Sequence, residues 1–169
     1  MSCLELYDRD AAVAYARQYA LSFNSQYANY ANSGGDCMNF VSQCLHAGGM
    51  PIKQQGFLWY GARSGSSASW KVVDDFLAYI RKSFGSPRLM FECYATPEHL
   101  KRGDIVFTVA KGTAGDISRN PSHIVILSED FATQGQMIVC GHTEPQLNAV
   151  KKRDDERCTY IHIPDESIL

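Results

Sequence analysis

Six cysteines and five histidines hold most of the reactive chemistry of this 169-residue chain. One cysteine stands apart. Cys37 follows Gly34-Gly35-Asp36 and precedes the apolar residues Phe40, Val41 and Leu45. That pattern predicts a helix over about 36–47 with Cys37 in its first turn, where unpaired backbone N–H groups and the helix dipole favour negative charge. A thiol placed there becomes accessible as a thiolate, and the same N–H groups can hold a developing oxyanion. The two glycines let backbone approach a substrate closely. The competing reading makes Cys37 a small apolar residue of the core, because it shares a helical stripe with Phe40, Val41 and Cys44. For Cys44, in mid-helix, only that second reading applies. Seven residues of helix separate the two Cα atoms by roughly 10 Å, which excludes a disulfide between them.

A thiolate nucleophile needs a base, and the base needs an orienting partner. His46 and His99 fall at expected surface positions, and His162 lies in the last predicted strand without an assigned role. His123 opens an apolar strand (SHIVIL) and His142 closes the next (MIVCGH). A turn at about 130–135 would pair these strands antiparallel, so both imidazoles should fall at the same end of neighbouring strands. Zinc ligation by Cys37, His123 and His142 is the weaker alternative, because no sequence-local ligand pair accompanies them. No metal or cofactor is expected. Trp59, Tyr60 and Trp70 flank a Gly- and Ser-rich loop and admit two readings, core packing or a cleft wall on which sugar or peptide stacks.

The elements that must position these residues follow from periodicity. Helices are predicted over 8–24, with Asp8 as N-cap, over 36–47 and over 70–83. Gly48-Gly49 with Pro51 just beyond ends the second. Strands are predicted over 103–109, 122–128, 136–142 and 157–163. Residues 50–69 and 110–121 read as loops, and the charged run Lys151 to Arg157 as a solvated turn. Helices first and antiparallel strands second give an α+β fold in one domain over 1–169.

Composition excludes several function classes. Lys and Arg number 16 against 18 for Asp and Glu, for a net charge of −2, so there is no electrostatic footprint for nucleic acid or an anionic membrane. Apolar residues at 45% and charged ones at 20% argue against disorder. No cysteines form a C-x-x-C pair, which removes the main zinc-ribbon and thioredoxin signature. No secretory leader is visible, so a cytoplasmic protein with free thiols is expected, or a cell-wall one if the chain is a fragment or leaves by another route.

The segments DCMNFVSQCLHAGG at 36–49, Trp59-Tyr60, Trp70, LKRGDIVF at 100–107, SHIVIL at 122–127 and GHT at 141–143 together resemble the putative amidase-domain family, in the NlpC/P60 superfamily of papain-like cysteine hydrolases. The similarity runs from about Tyr7 to Thr143. It implies a papain-like fold with the nucleophile helix packed on an antiparallel sheet or small barrel. It also implies Cys37 as nucleophile, His123 as general base, and His142 as the polar residue orienting the base. By the same resemblance Asp36 would recognise a substrate amine, and Tyr27 or Tyr30 would assist the oxyanion. The implied partner is a peptide or peptidoglycan fragment. A non-catalytic peptide- or glycan-binding module of the same fold is the alternative.

Overall fold

The computed structural model describes residues 6–83, 91–109 and 121–165. Helix α1 spans Arg9–Tyr19, shorter than the predicted 8–24. Asp8 caps it, its carboxylate accepting the Ala11 N–H at 2.9 Å. Helix α2 spans Cys37–Ala47, and all nine residues from Cys37 to Leu45 are buried. A helix buried on every side belongs at the centre of a fold, and the polar Asn39, Ser42 and Gln43 of α2 each find a hydrogen-bond partner there. It ends at Gly48, where Gly49 takes the left-handed conformation with φ +104°.

The loop at 50–69 contains a small hairpin, β1 (Gly61–Ala62) with β2 (Gly65–Ser66). The helix expected over 70–83 is two helices, α3 (Ala68–Lys71) and α4 (Val73–Ser83). Val72 between them is extended, at φ −117° and ψ 125°. The break has a local cause. Trp70 is fully buried, and the Ser42 hydroxyl of α2 donates to its carbonyl at 2.8 Å. That carbonyl is therefore spent on α2, and β-branched Val72 turns the chain.

Six strands follow: β3 (Glu92–Tyr94), β4 (Ile105–Val109), β5 (Pro121–Leu127), β6 (Met137–Gly141), β7 (Gln146–Lys151) and β8 (Cys158–His162). They form one sheet in the order β3-β8-β4-β5-β6-β7, with every pair antiparallel. The α+β class and the four predicted strands hold to within two residues at each end. β3 and β7, both at sheet edges, were not foreseen. One turn of helix, α5 (Phe131–Gln134), fills the expected turn between β5 and β6. Of the loop read at 110–121, all but Pro121 lies outside the described residues.

The sheet alternates cleanly. Ile105, Phe107, Ile124, Ile126, Cys140 and Ile161 join the cluster built around α2. Val106, Val125, Leu127, Val139 and Tyr160 form a second cluster, so successive residues serve opposite faces. The Tyr7 ring is the atom group a side chain at Gly48 would strike, and its hydroxyl donates to the Gly103 carbonyl at 2.8 Å. The Gly103 N–H in turn donates to Leu127. The C-terminal end of α2 is thereby fixed at the Leu127 end of β5, and α2, packed on β5, brings its first turn to the opposite end.

A buried ion pair ties the beginning of the described chain to its end. Arg9 donates to Asp104 at 2.8 Å, to Asp165 at 2.6 Å and to the Ile163 carbonyl. Asp104, wholly buried, also accepts the N–H groups of Lys101 at 2.8 Å and Ile163 at 3.0 Å, and meets His162 Nδ1 at 2.6 Å. A buried carboxylate persists when it is paired and fully hydrogen-bonded, as here. Among the described residues no helix is long and apolar enough to cross a membrane.

Candidate active site around Cys37

Cys37 is the first residue of α2, as its sequence context predicted. It lines a cavity of about 440 Å³ with Tyr30, Gly34, Gly35, Lys71 and Asp74 among its walls. No side chain caps the start of α2, which leaves the first-turn N–H groups uncommitted to a cap. Gly34 and Gly35 have φ of +97° and +108°, and a Cβ on Gly35 would lie 2.9 Å from Thr143 Oγ1. Glycine is required there on both counts.

Asp36 is 1% exposed and its carboxylate is fully engaged. One oxygen accepts the Tyr30 N–H at 2.9 Å and the Asn39 amide at 2.8 Å; the other meets His142 Nδ1 at 2.7 Å. Buried and hydrogen-bonded by its own chain, Asp36 organises the turn that presents Cys37. Asn39, which the sequence reading gave no role in the site, extends this network by accepting the Trp70 indole N–H at 2.9 Å and donating to the Ala28 carbonyl at 2.9 Å. An amide in the first turn of a buried helix was the available signal.

His142 is buried, stacked on Phe40 with ring centroids 4.1 Å apart. Its Nε2 lies 2.7 Å from the Tyr19 carbonyl, the last of α1. Both ring nitrogens therefore meet partners within this region, and the ring links the C-terminal end of α1 to the start of α2. The resemblance had His142 orienting His123; here its two nitrogens meet Asp36 and Tyr19 instead.

His123 lies at the end of β5 nearer Cys37. It pairs with Thr108, whose hydroxyl is 3.7 Å from Cys158 Sγ, and Cys158 belongs to the second cluster. Alternation accordingly sets His123 on the face away from α2. The pairing of Ile126 with Cys140 and Leu127 with Val139 places His142 level with Ile124. The two imidazoles share one end of the sheet, as predicted, but stand one residue out of step and so on opposite faces. Among the described residues no hydrogen bond joins Cys37 to His123. Burial pushes the His123 pKa down, with Lys151 nearby acting in the same direction and Glu144 against it.

The aromatic residues divide. Tyr30 lines the Cys37 cavity and is held by its hydroxyl donating to Ser66 Oγ at 3.1 Å. Tyr27 stacks on Trp70 instead, at 5.7 Å. Trp59 and Trp70 are wholly buried and pack on each other at 4.5 Å; their expected place in the substrate cleft is corrected to the core. Tyr60 faces a separate cavity with Phe57 and Tyr79. Cys44 is fully buried and burial pushes its thiol pKa well up, the inert role expected of it. Among the described residues no three or more His, Cys, Asp or Glu side chains are grouped to hold a metal ion.

The family description "putative amidase domain" matches residues 6–162. The chain belongs to that family. The family points to hydrolysis of an amide bond. Two relatives from Bacillus subtilis (strain 168) are the uncharacterized proteins YhbB and YjcM. YhbB is 35% identical over 103 residues, covering 59% of this chain and 32% of YhbB. YjcM is 35% identical over 99 residues, covering 59% of this chain and 22% of YjcM. The match therefore spans a third or less of each relative. No solved structure matches.

Proposed function

We propose that this chain is a cysteine amidase or peptidase of the papain-like NlpC/P60 type, acting on an amide bond in a cell-wall-type peptide. One observation carries the reading: Cys37 opens α2 on a cavity large enough for a peptide group, with the first-turn N–H groups uncapped. The Cys37 thiolate adds to the amide carbonyl, and those N–H groups hold the oxyanion. Collapse of the adduct expels the amine, which takes up a proton, and water then hydrolyses the thioester to the acid and the free thiol. Tyr30, on the cavity wall, is the tyrosine that assists the oxyanion.

His123 is the base in this scheme. Its lowered pKa keeps the ring neutral and able to accept a proton near pH 7. His142, with both ring nitrogens hydrogen-bonded to Asp36 and Tyr19, instead braces the turn that carries Cys37. Proton transfer requires the end of β5 to turn the His123 ring toward α2. A register irregularity next to it, between Thr108 and Val109, is the place for that movement. The absence of a thiol–imidazole hydrogen bond among the described residues favours one second reading, a binding module that uses the same cavity for peptide or glycan.

Iodoacetamide labelling with peptide mapping at pH 7 separates the two, in the native protein and in His123→Ala. The enzyme reading expects Cys37 to react fastest of the thiols and to lose that lead in the variant. Thioester-dependent cleavage of muropeptides or peptide amides would then be measured. Labelling of Cys37 no faster than exposed Cys93 would sink the reading and favour the binding module.

A further inference from the structure

Lys71 is not part of the scheme above, yet it stands on the wall of the Cys37 cavity. It ends α3, and its side chain is half-buried. The ammonium sits 4.8 Å over the ring centroid of Tyr30, a contact that holds a cation in place. Tyr30 is itself fixed at both ends, through its backbone N–H to Asp36 and its hydroxyl to Ser66. Among the described residues Lys71 makes no ion pair. A positioned, unneutralised cation beside a nucleophile is a receptor for an anionic group. Asp74 shares the wall, but it is exposed and lies in the first turn of α4, where the helix dipole already favours its charge.

We infer that Lys71 is a specificity residue that binds a carboxylate of the substrate next to the scissile amide. The inference rests on the proposed nucleophilic role of Cys37 and narrows its substrate to peptides carrying a carboxylate, terminal or side-chain, close to the cleaved bond. Lys71 is a substrate-binding group here, with no part in proton transfer.

Two alkylating agents of nearly equal size read this charge directly. Iodoacetate carries a carboxylate and iodoacetamide does not. The ratio of their rates at Cys37 is compared with the same ratio for N-acetylcysteine amide in the same buffer, because Cys93 lies beside Arg81. The ratio at Cys37 should exceed that of the free thiol by about two- to fivefold, the range for one partly screened charge pair. Lys71→Met should remove the excess and Lys71→Arg should keep it. An equal ratio for Cys37 and the free thiol, or an excess that survives in Lys71→Met, overturns the inference.

A slow Cys37 would overturn the enzyme reading alone, so a second measurement is independent of reactivity. N-acetylglycine and its neutral amide are titrated against the protein while the Tyr30 ring signals are followed by NMR. Saturable shifts with the acid only, lost in Lys71→Met, support the carboxylate site. Equal responses to acid and amide, or none to either, refute it.

Discussion

Asp36 precedes Cys37 in sequence and is the residue on which the surroundings of that thiol depend. Tyr30, Asn39 and His142 converge on one buried carboxylate, so removing it strands all three groups at once. Each buried polar group left unsatisfied costs about 1–3 kcal/mol. Asp36→Ala should therefore lose stability of that order in denaturant titrations, and the labelling lead of Cys37 should go with it. Gly35→Ala tests the same turn more gently, because the new Cβ meets Thr143 at 2.9 Å with φ at +108°. It should slow Cys37 labelling while leaving the denaturation midpoint closer to native than Asp36→Ala does.

His123 offers a pH signature with a definite sign. Its pKa is lowered in the folded protein, chiefly by burial, so folding disfavours its proton. Stability from this group is complete above the ordinary histidine value of about 6.5. It declines as pH falls from there through the lowered folded value. NMR titration of the ring should place its midpoint below 6.5, and Lys151→Gln should move it upward. Glu144→Gln should move it the other way.

At the scale of elements, the tryptophans show how far pattern reading reaches. Their loop context suggested a wall for ligands, but a flexible-looking loop can lay its aromatics inward, and here Ser42 and Asn39 of α2 fasten Trp70 there. Trp59→Ala should cost about 3–5 kcal/mol and lower the melting temperature accordingly. The Trp59 indole N–H has no partner among the described residues. Trp59→Phe, which deletes that buried donor, should cost clearly less than the alanine variant in the same melts.

The same scale explains what the sequence could and could not disclose. Helix α2 and the four interior strands were legible because Phe40, Val41 and Leu45 recur at helical spacing and segments such as SHIVIL are β-branched apolar runs bounded by turns. The place of Cys37 at the start of α2 followed from Gly34-Gly35-Asp36. The histidine pairing was half right: a hairpin fixes which ends meet, but the face depends on register, and a single residue reverses it. The Val72 break escaped notice because its cause is a hydroxyl on another helix. Edge strands β3 and β7 carry exposed, mixed residues and so lack the apolar signal of the interior ones.

For the molecule as a whole, Arg9 and Asp104 hold α1, the start of β4 and the stretch after β8 in one buried knot. Asp165, on its outer side, has its carboxyl held down at about 2 by hydrogen bonds and charge from Arg9 and then Lys101. A depressed carboxyl stabilises the fold above its unfolded value of about 3.9 and loses that contribution as pH falls through about 2. Asp165→Asn should flatten the acid limb of the stability curve between those values, measured as denaturation midpoint against pH.

The direct contact between Arg9 and Asp165 also means that the first turn of α1 and the stretch after β8 lie side by side. A Gly/Ser bridge could join residue 165 back to residue 6, and the described chain could be opened anew between the exposed residues 152 and 153, giving a circular permutant. Such a permutant should fold and keep the reactivity of Cys37, since every contact around α2 would survive the rewiring.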